Sequence, residues 1–144
     1  MFILWFFAFT YNLKAQNEYV NELFQKFLNS YNSGDLVSSD SVLLLILDSK
    51  VSFPDEYLVA IYNNLGAICT LLGRYKDALN YYSKAETLTK SNQRDKLTLG
   101  DVYINKAIIY ESQKSFTSSI EYYEKGIRKY LDVKNHNINV YYRI

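Results

Sequence analysis

The sequence predicts an all-α protein built of stacked helical hairpins. Its 144 residues include one proline and five glycines, which are too few for the many turns of a β-sandwich or a barrel. Several segments place apolar residues at the three- and four-residue spacing of an amphipathic helix. In addition, a shift of 41 residues aligns two stretches of the chain with each other, which indicates a repeated two-helix unit.

The N-terminal segment has the composition of a signal peptide. Residues 1–13 are almost wholly apolar and are followed by Lys14, Ala15 and Gln16. The apolar run is shorter than the roughly 20 residues that a transmembrane helix needs. We therefore expect residues 1–15 to be a signal peptide and the protein to be exported, either periplasmic or membrane-associated. An apolar first helix of the fold is the alternative interpretation.

The charge of the remaining chain is balanced. Removing residues 1–15 takes away Lys14 and no acid, which leaves 15 basic and 15 acidic side chains. A neutral chain has no general attraction to polyanions. We therefore expect no nucleic-acid partner.

Residues 16–53 predict a first, degenerate hairpin. A first helix ends near Asn32, and Asn32–Asp35 is a cluster of turn residues. Residues 42–47 are apolar throughout; a buried strand would give this pattern, but the predominance of leucine favours a buried helix. The apolar stripe of the first helix consists of Val20, Leu23, Phe24, Phe27, Leu28 and Tyr31.

Residues 54–133 predict two further hairpins. Ser52 and Pro54, followed by two acids, form a helix-start signal. The expected helices span about 54–72, 76–90, 96–113 and 116–131. Residues 134–144 are expected to start another helix, which would belong to a further, truncated repeat, so we expect the chain to be a piece of a longer protein.

The repeat is best seen in its small residues. The 41-residue shift aligns Gly66 with Ala107, and it also aligns Ala78 with Ser119 and Ala85 with Gly126. At a helix separation of roughly 8–10 Å a bulky side chain at the crossing would force the helices apart. The positions expected to pack the repeats are Tyr62, Gly66, Tyr75, Ala78, Tyr82, Ala85, Tyr103, Ala107, Phe116, Ser119, Tyr123 and Gly126.

The spacing of small and large residues in the first repeat, residues 59–92, resembles the tetratricopeptide repeat. The second repeat, residues 100–133, departs from that family at Lys106, where the family prefers leucine, and at Lys114, where it often has glycine. We expect the stem of Lys106 to lie on apolar surface with its ammonium group in solvent. The resemblance implies an α-solenoid in which hairpins stack into a right-handed superhelix.

The resemblance also implies a function. Members of this family bind peptides or protein segments along a concave face, which is lined by the first helix of each hairpin. The expected function is therefore a non-catalytic protein-binding scaffold, the exported sensor or adaptor part of a larger bacterial protein with a membrane tether outside this chain. The positions that the resemblance assigns to the concave face are Ala60, Asn63, Ala67, Thr70, Leu71, Asp101, Ile104, Ile108, Glu111 and Ser112.

Two alternatives accompany these predictions. The concave-face residues would otherwise pack on a neighbouring hairpin or face water. The protein would otherwise be a self-assembling structural module, in which open apolar ends join copies head to tail.

Residues for catalysis or metal binding are scarce. His136 is the single histidine and lies in a polar stretch with no acid placed to orient it, and Cys69 is the single cysteine. We therefore expect no enzyme activity, no cofactor and no metal. The basic residues Lys125, Arg128 and Lys129 lie near the end of a predicted helix, where cations complement the helix dipole.

Overall fold

The computed structural model describes residues 18–49, 51–92 and 96–141, and these ranges hold six α-helices and no strand. The predicted all-α class is confirmed. The predicted signal peptide at residues 1–15 lies outside the described residues, and within them no helix combines the length and the apolarity that crossing a membrane requires. The helices are α1 (Glu18–Asn32), α2 (Leu36–Asp48), α3 (Asp55–Leu71), α4 (Tyr75–Asn92), α5 (Lys96–Ser112) and α6 (Phe116–Tyr141).

The chain divides into two compact units between Phe53 and Pro54. In the first unit α1 packs against α2 as a hairpin. Residues 42–47 are helical, as the predominance of leucine predicted. The side chains buried in this unit come from the apolar stripe of α1 and from α2, and they include Val20, Leu23, Phe24, Phe27, Leu43 and Ile46.

The second unit consists of two stacked hairpins. Helix α3 packs against α4 and α5 packs against α6, while α4 and α3 both contact α5. One cluster of buried side chains joins three of these helices, which explains why the hairpins stack rather than stand apart. The cluster comprises Val59, Cys69, Ala78, Tyr82, Ala85, Val102 and Ile109.

The three hairpin turns share one backbone geometry. Each contains a residue with positive φ: Gly34 at 79°, Gly73 at 74° and Lys114 at 58°. In each turn the following residue donates its N–H to the carbonyl oxygen five positions earlier, at 2.8–2.9 Å. This is the Schellman helix ending, which favours glycine because a Cβ atom is strained at positive φ.

Lys114 is the one non-glycine among these turn residues, and replacing it with glycine is expected to stabilise the protein. A left-handed conformation costs a residue with a Cβ atom about 1–2 kcal/mol. Because glycine also loses more backbone entropy on folding, we expect Lys114→Gly to raise the free energy of unfolding by about 0.5–1 kcal/mol in a urea titration. Lys76→Gly, at an exposed position within α4, is the control and should lower it. A lower stability for Lys114→Gly would contradict the prediction.

The end of the chain differs from the sequence-based expectation. We expected a helix ending near residue 131 and a new one starting near Asn135, but α6 continues from Phe116 to Tyr141. No glycine or proline occurs between residues 127 and 141, so nothing in that segment stops the helix. The assignment of residues 134–144 to a further repeat stays a prediction.

Candidate functional site

Glycines bring the helices of both hairpins of the second unit into close contact. Gly66 on α3 is buried against Tyr82 on α4, and a Cβ atom on Gly66 would lie 2.5–2.8 Å from three carbons of that ring. In the second hairpin a Cβ atom on Gly126 would lie 2.7 Å from Cδ1 of Ile104 and 3.1 Å from the carbonyl oxygen of Gly100. Gly100 was not among the predicted packing positions, although a glycine within a helix is itself a signal of close approach.

The other small residues that recur at the 41-residue shift are also buried. Ala78, Ala85 and Ala107 are inaccessible to solvent, and Ser119 is nearly so. Such residues at helix crossings leave space for the facing side chains.

The aromatic packing positions divide into two groups. Tyr82 and Tyr103 are buried, and Tyr62, Tyr75 and Tyr123 are half-buried. Phe116 differs from the expectation, because its side chain is exposed rather than packed. Within the unit that begins at Pro54, α6 packs against α5 only, so no described helix of this unit covers the face on which Phe116 lies.

A repeated aromatic contact, absent from the sequence-based predictions, joins the two helices of each hairpin in the second unit. The ring centroids of Tyr62 and Tyr81 lie 6.3 Å apart, and those of Tyr103 and Tyr122 lie 6.1 Å apart. In each hairpin the lysine three positions after the second tyrosine holds its Nζ over that ring, at 5.6 Å and 4.7 Å from the centroid. The 41-residue repeat therefore extends to individual side-chain contacts. A contact between a lysine ammonium group and a ring contributes about 0.5–1 kcal/mol at exposed sites.

A buried ion pair links the two hairpins. Nζ of Lys106 on α5 lies 2.5 Å from Oε2 of Glu86 on α4, and the Lys106 side chain is only 5% exposed. The expectation that its ammonium group would lie in solvent is therefore wrong, because the carboxylate of α4 meets it in the helix interface. Lys106 also donates to Oγ of Ser83 at 3.2 Å, and Glu86 also accepts from Lys90 at 2.6 Å and from the Tyr103 hydroxyl at 3.2 Å.

This network shifts the titration of Glu86. Burial by itself would raise the pKa of Glu86, but hydrogen bonds from Lys106 and Lys90 and their positive charges outweigh it and hold that pKa below its usual range. A depressed folded-state pKa stabilises the protein above the unfolded-state pKa of about 4.3. That contribution is lost as the pH falls through the folded-state pKa.

Acid titration therefore tests the network. We expect the free energy of unfolding of the wild type to fall further between about pH 5 and pH 3 than that of Glu86→Gln, which has no carboxylate to protonate. Urea titrations across this range measure the difference. Glu121→Gln, at an exposed pair with Lys125, is the control and should follow the wild type. Equal losses for the wild type and Glu86→Gln would contradict the assignment.

The predicted concave-face residues lie on α3 and α5, and one hydrogen bond holds these helices together. Nδ2 of Asn105 donates to Oδ1 of Asn63 at 3.2 Å. The first helices of the two hairpins are therefore neighbours, and the two predicted sets lie side by side. Leu71, Glu111 and Ser112 are exposed, Ala60, Asn63, Thr70, Asp101, Ile104 and Ile108 are half-buried, and Ala67 is buried.

Two of the ten residues are turned to the interior rather than to a ligand. Ala67 is buried, and the Ile104 side chain lies against Gly126 on α6. Both lie on the part of the helix surface that the hairpins use for packing. Ala67 and Ile104 therefore pack within the hairpins, and the assignment of the ten residues to a binding face stays a prediction.

The two acids of the predicted face are oriented by tyrosines of α6. The Tyr130 hydroxyl donates to Asp101, and the Tyr123 hydroxyl donates to Glu111 at 2.8 Å. Burial, together with the nearby carboxylate of Asp101, raises the pKa of Tyr130, so the tyrosine keeps its proton. The hydroxyls of Tyr130 and Tyr123 therefore fix the positions of the Asp101 and Glu111 side chains.

Among residues 18–49, 51–92 and 96–141 no three His, Cys, Asp or Glu side chains are placed to hold a metal ion. Cys69 is buried within the core cluster of the second unit. A model of the family described as the tetratricopeptide repeat matches residues 57–132, which is more than half of the 144 residues.

The chain belongs to the tetratricopeptide repeat family. The matched segment runs from α3 to α6 and contains both hairpins of the second unit. Tetratricopeptide repeats generally mediate protein–protein interaction, and proteins built of them are generally non-catalytic scaffolds. Residues 16–53 lie outside the match, so their assignment as a degenerate hairpin of the same kind stays a prediction.

Proposed function

We propose that this tetratricopeptide repeat protein is a scaffold that binds a segment of another protein across the surface of α3 and α5. The observation that supports the proposal is the hydrogen bond between Asn63 and Asn105, which joins the first helices of the two hairpins. A segment lying across both helices contacts residues of both repeats at once. Repeat proteins use such extended surfaces for binding.

The chemistry of this surface suggests the kind of segment. Leu71 offers an exposed apolar contact and Ile108 a half-buried one. Asp101 and Glu111 provide two negative charges, and none of the ten predicted residues is basic. Complementary charge favours a partner with lysine or arginine beside apolar side chains.

Selection from a phage-displayed library of random peptides, with the full chain immobilised, tests the proposal. We expect enrichment of peptides that combine basic and apolar residues. Calorimetry with the selected peptides should show binding at least about tenfold weaker for Leu71→Ser and for Glu111→Gln, which keeps the acceptor for Tyr123 but loses the charge. Val37→Ser, at an exposed valine of α2, is the matched control. Failure to select any peptide, or equal binding by all variants, would contradict the proposal.

We further propose that the scaffold is the exported sensor or adaptor part of a larger bacterial protein, periplasmic or tethered to a membrane outside this chain. The apolar residues 1–13, followed by Lys14, Ala15 and Gln16, support export. A fusion of the full chain to alkaline phosphatase, which is active only after export, measures this in a bacterial host. We expect activity that is lost when residues 1–15 are deleted, and an inactive full-length fusion would refute export.

A further inference from the structure

Helix α6 carries an apolar stripe on its open face. The four side chains of this stripe are 49–62% exposed. They follow one another at intervals of four, seven and four residues, which places them on one side of the helix. Exposed apolar side chains in a contiguous row indicate an interaction surface. The stripe consists of Phe116, Ile120, Ile127 and Leu131.

The equivalent face of α4, the second helix of the preceding hairpin, packs against the next helix, α5. At the 41-residue shift Ile127 corresponds to Glu86, and that face of α4 is covered by α5, where Glu86 pairs with Lys106. On α6 an isoleucine replaces the acid. A helix like α5 would bury its lysine there without a carboxylate, which is unfavourable. The face of α6 therefore fits an apolar partner rather than another copy of α5.

The intervals between the residues of the stripe are four, seven and four in either direction along α6. If α6 lies antiparallel to an identical helix, with a two-fold axis near residues 123 and 124, Phe116 faces Leu131 and Ile120 faces Ile127 of the second copy. Every apolar side chain of the stripe then meets an apolar side chain, and each contact occurs twice. An isologous dimer needs a surface that is self-complementary in this way.

The charges beside the stripe support the same arrangement. Glu121 and Arg128 are exposed on one flank of the stripe. The antiparallel arrangement places Glu121 of one chain beside Arg128 of the other. Glu124, which lies nearer the two-fold axis on the same flank, keeps its pair with Arg128 of its own chain at 3.3 Å. We propose that the protein forms a symmetric homodimer through antiparallel packing of α6 against α6 of a second copy.

Sedimentation equilibrium of the full chain at micromolar concentration measures the assembly. We expect twice the 16.9 kDa of one chain for the wild type. Ile127→Glu gives α6 the acid that α4 has at the corresponding position, Glu86, and it should return the mass to that of one chain. Val37→Glu, at an exposed valine of α2, is the matched control and should remain a dimer. A monomeric wild type, a mass that grows beyond two copies, or a dimer that survives Ile127→Glu would overturn the proposal.

A charge reversal tests the orientation. Glu121→Arg alone and Arg128→Glu alone each place like charges across the interface twice, and each should weaken the dimer about tenfold. The double variant restores opposite charges between the copies and should recover most of the wild-type affinity. A double variant as weak as the two single variants would refute the antiparallel register. The peptide-binding surface on α3 and α5 is separate, so its test is independent of this one.

Discussion

Replacing Gly66 with alanine is expected to lower the free energy of unfolding by about 2–3 kcal/mol. The new Cβ atom would lie 2.5–2.8 Å from three carbons of the Tyr82 ring, and that ring is fully buried, so it has no free space into which to move. In an open helix the same substitution stabilises by about 1 kcal/mol, because alanine has the higher helix propensity. The contact with Tyr82 therefore reverses the sign of the effect.

A double-mutant cycle separates this contact from other effects of the substitution. Tyr82→Leu removes the ring, so Gly66→Ala should cost much less in that background than in the wild type. Urea titrations of the wild type, the two single variants and the double variant measure the coupling. Lys76→Ala, at an exposed position of α4, is the control and should change stability little. A stabilising Gly66→Ala would show that α3 and α4 do not approach closely at this point.

Features that repeat within the chain could be predicted from the sequence. Gly66 was recognised because a small residue recurs 41 positions later, at Ala107, and close helix packing restricts such positions to small side chains. The predicted helices 54–72 and 76–90 leave a gap that contains Gly73, and glycine adopts positive φ without strain. The predicted helices 96–113 and 116–131 leave the corresponding gap at Lys114, 41 positions later, although lysine is not itself a turn signal.

Features that depend on how helices dock could not be predicted in this way. Glu86 and Lys106 lie 20 positions apart, and their pairing requires the position of α5 on α4. Phe116 is exposed because no helix among the described residues of its unit covers it, which the spacing of the sequence does not reveal. For the candidate site, the resemblance located the helices α3 and α5, but the inward orientation of Ala67 and Ile104 depends on how the hairpins pack.

Glu86→Ala is expected to lower the free energy of unfolding by about 3 kcal/mol. The substitution leaves the ammonium group of Lys106, whose side chain is 5% exposed, without its carboxylate. Removing one partner of a buried pair costs about 3–5 kcal/mol, because the other charge stays desolvated. We expect the lower end of this range, since Lys106 keeps its hydrogen bond to Ser83 at 3.2 Å and its position 5.6 Å from the centroid of the Tyr122 ring.

The joint replacement of both charges distinguishes a stabilising pair from a pair that only fixes how the hairpins dock. Lys106→Leu together with Glu86→Leu removes both desolvation penalties, so we expect a stability equal to or above that of the wild type. Glu121→Ala, at the exposed pair with Lys125, is the matched control and should cost less than about 1 kcal/mol. If Glu86→Ala costs no more than Glu121→Ala, the ammonium group of Lys106 reaches water without its partner. The contact between α4 and α5 would then depend on apolar packing alone.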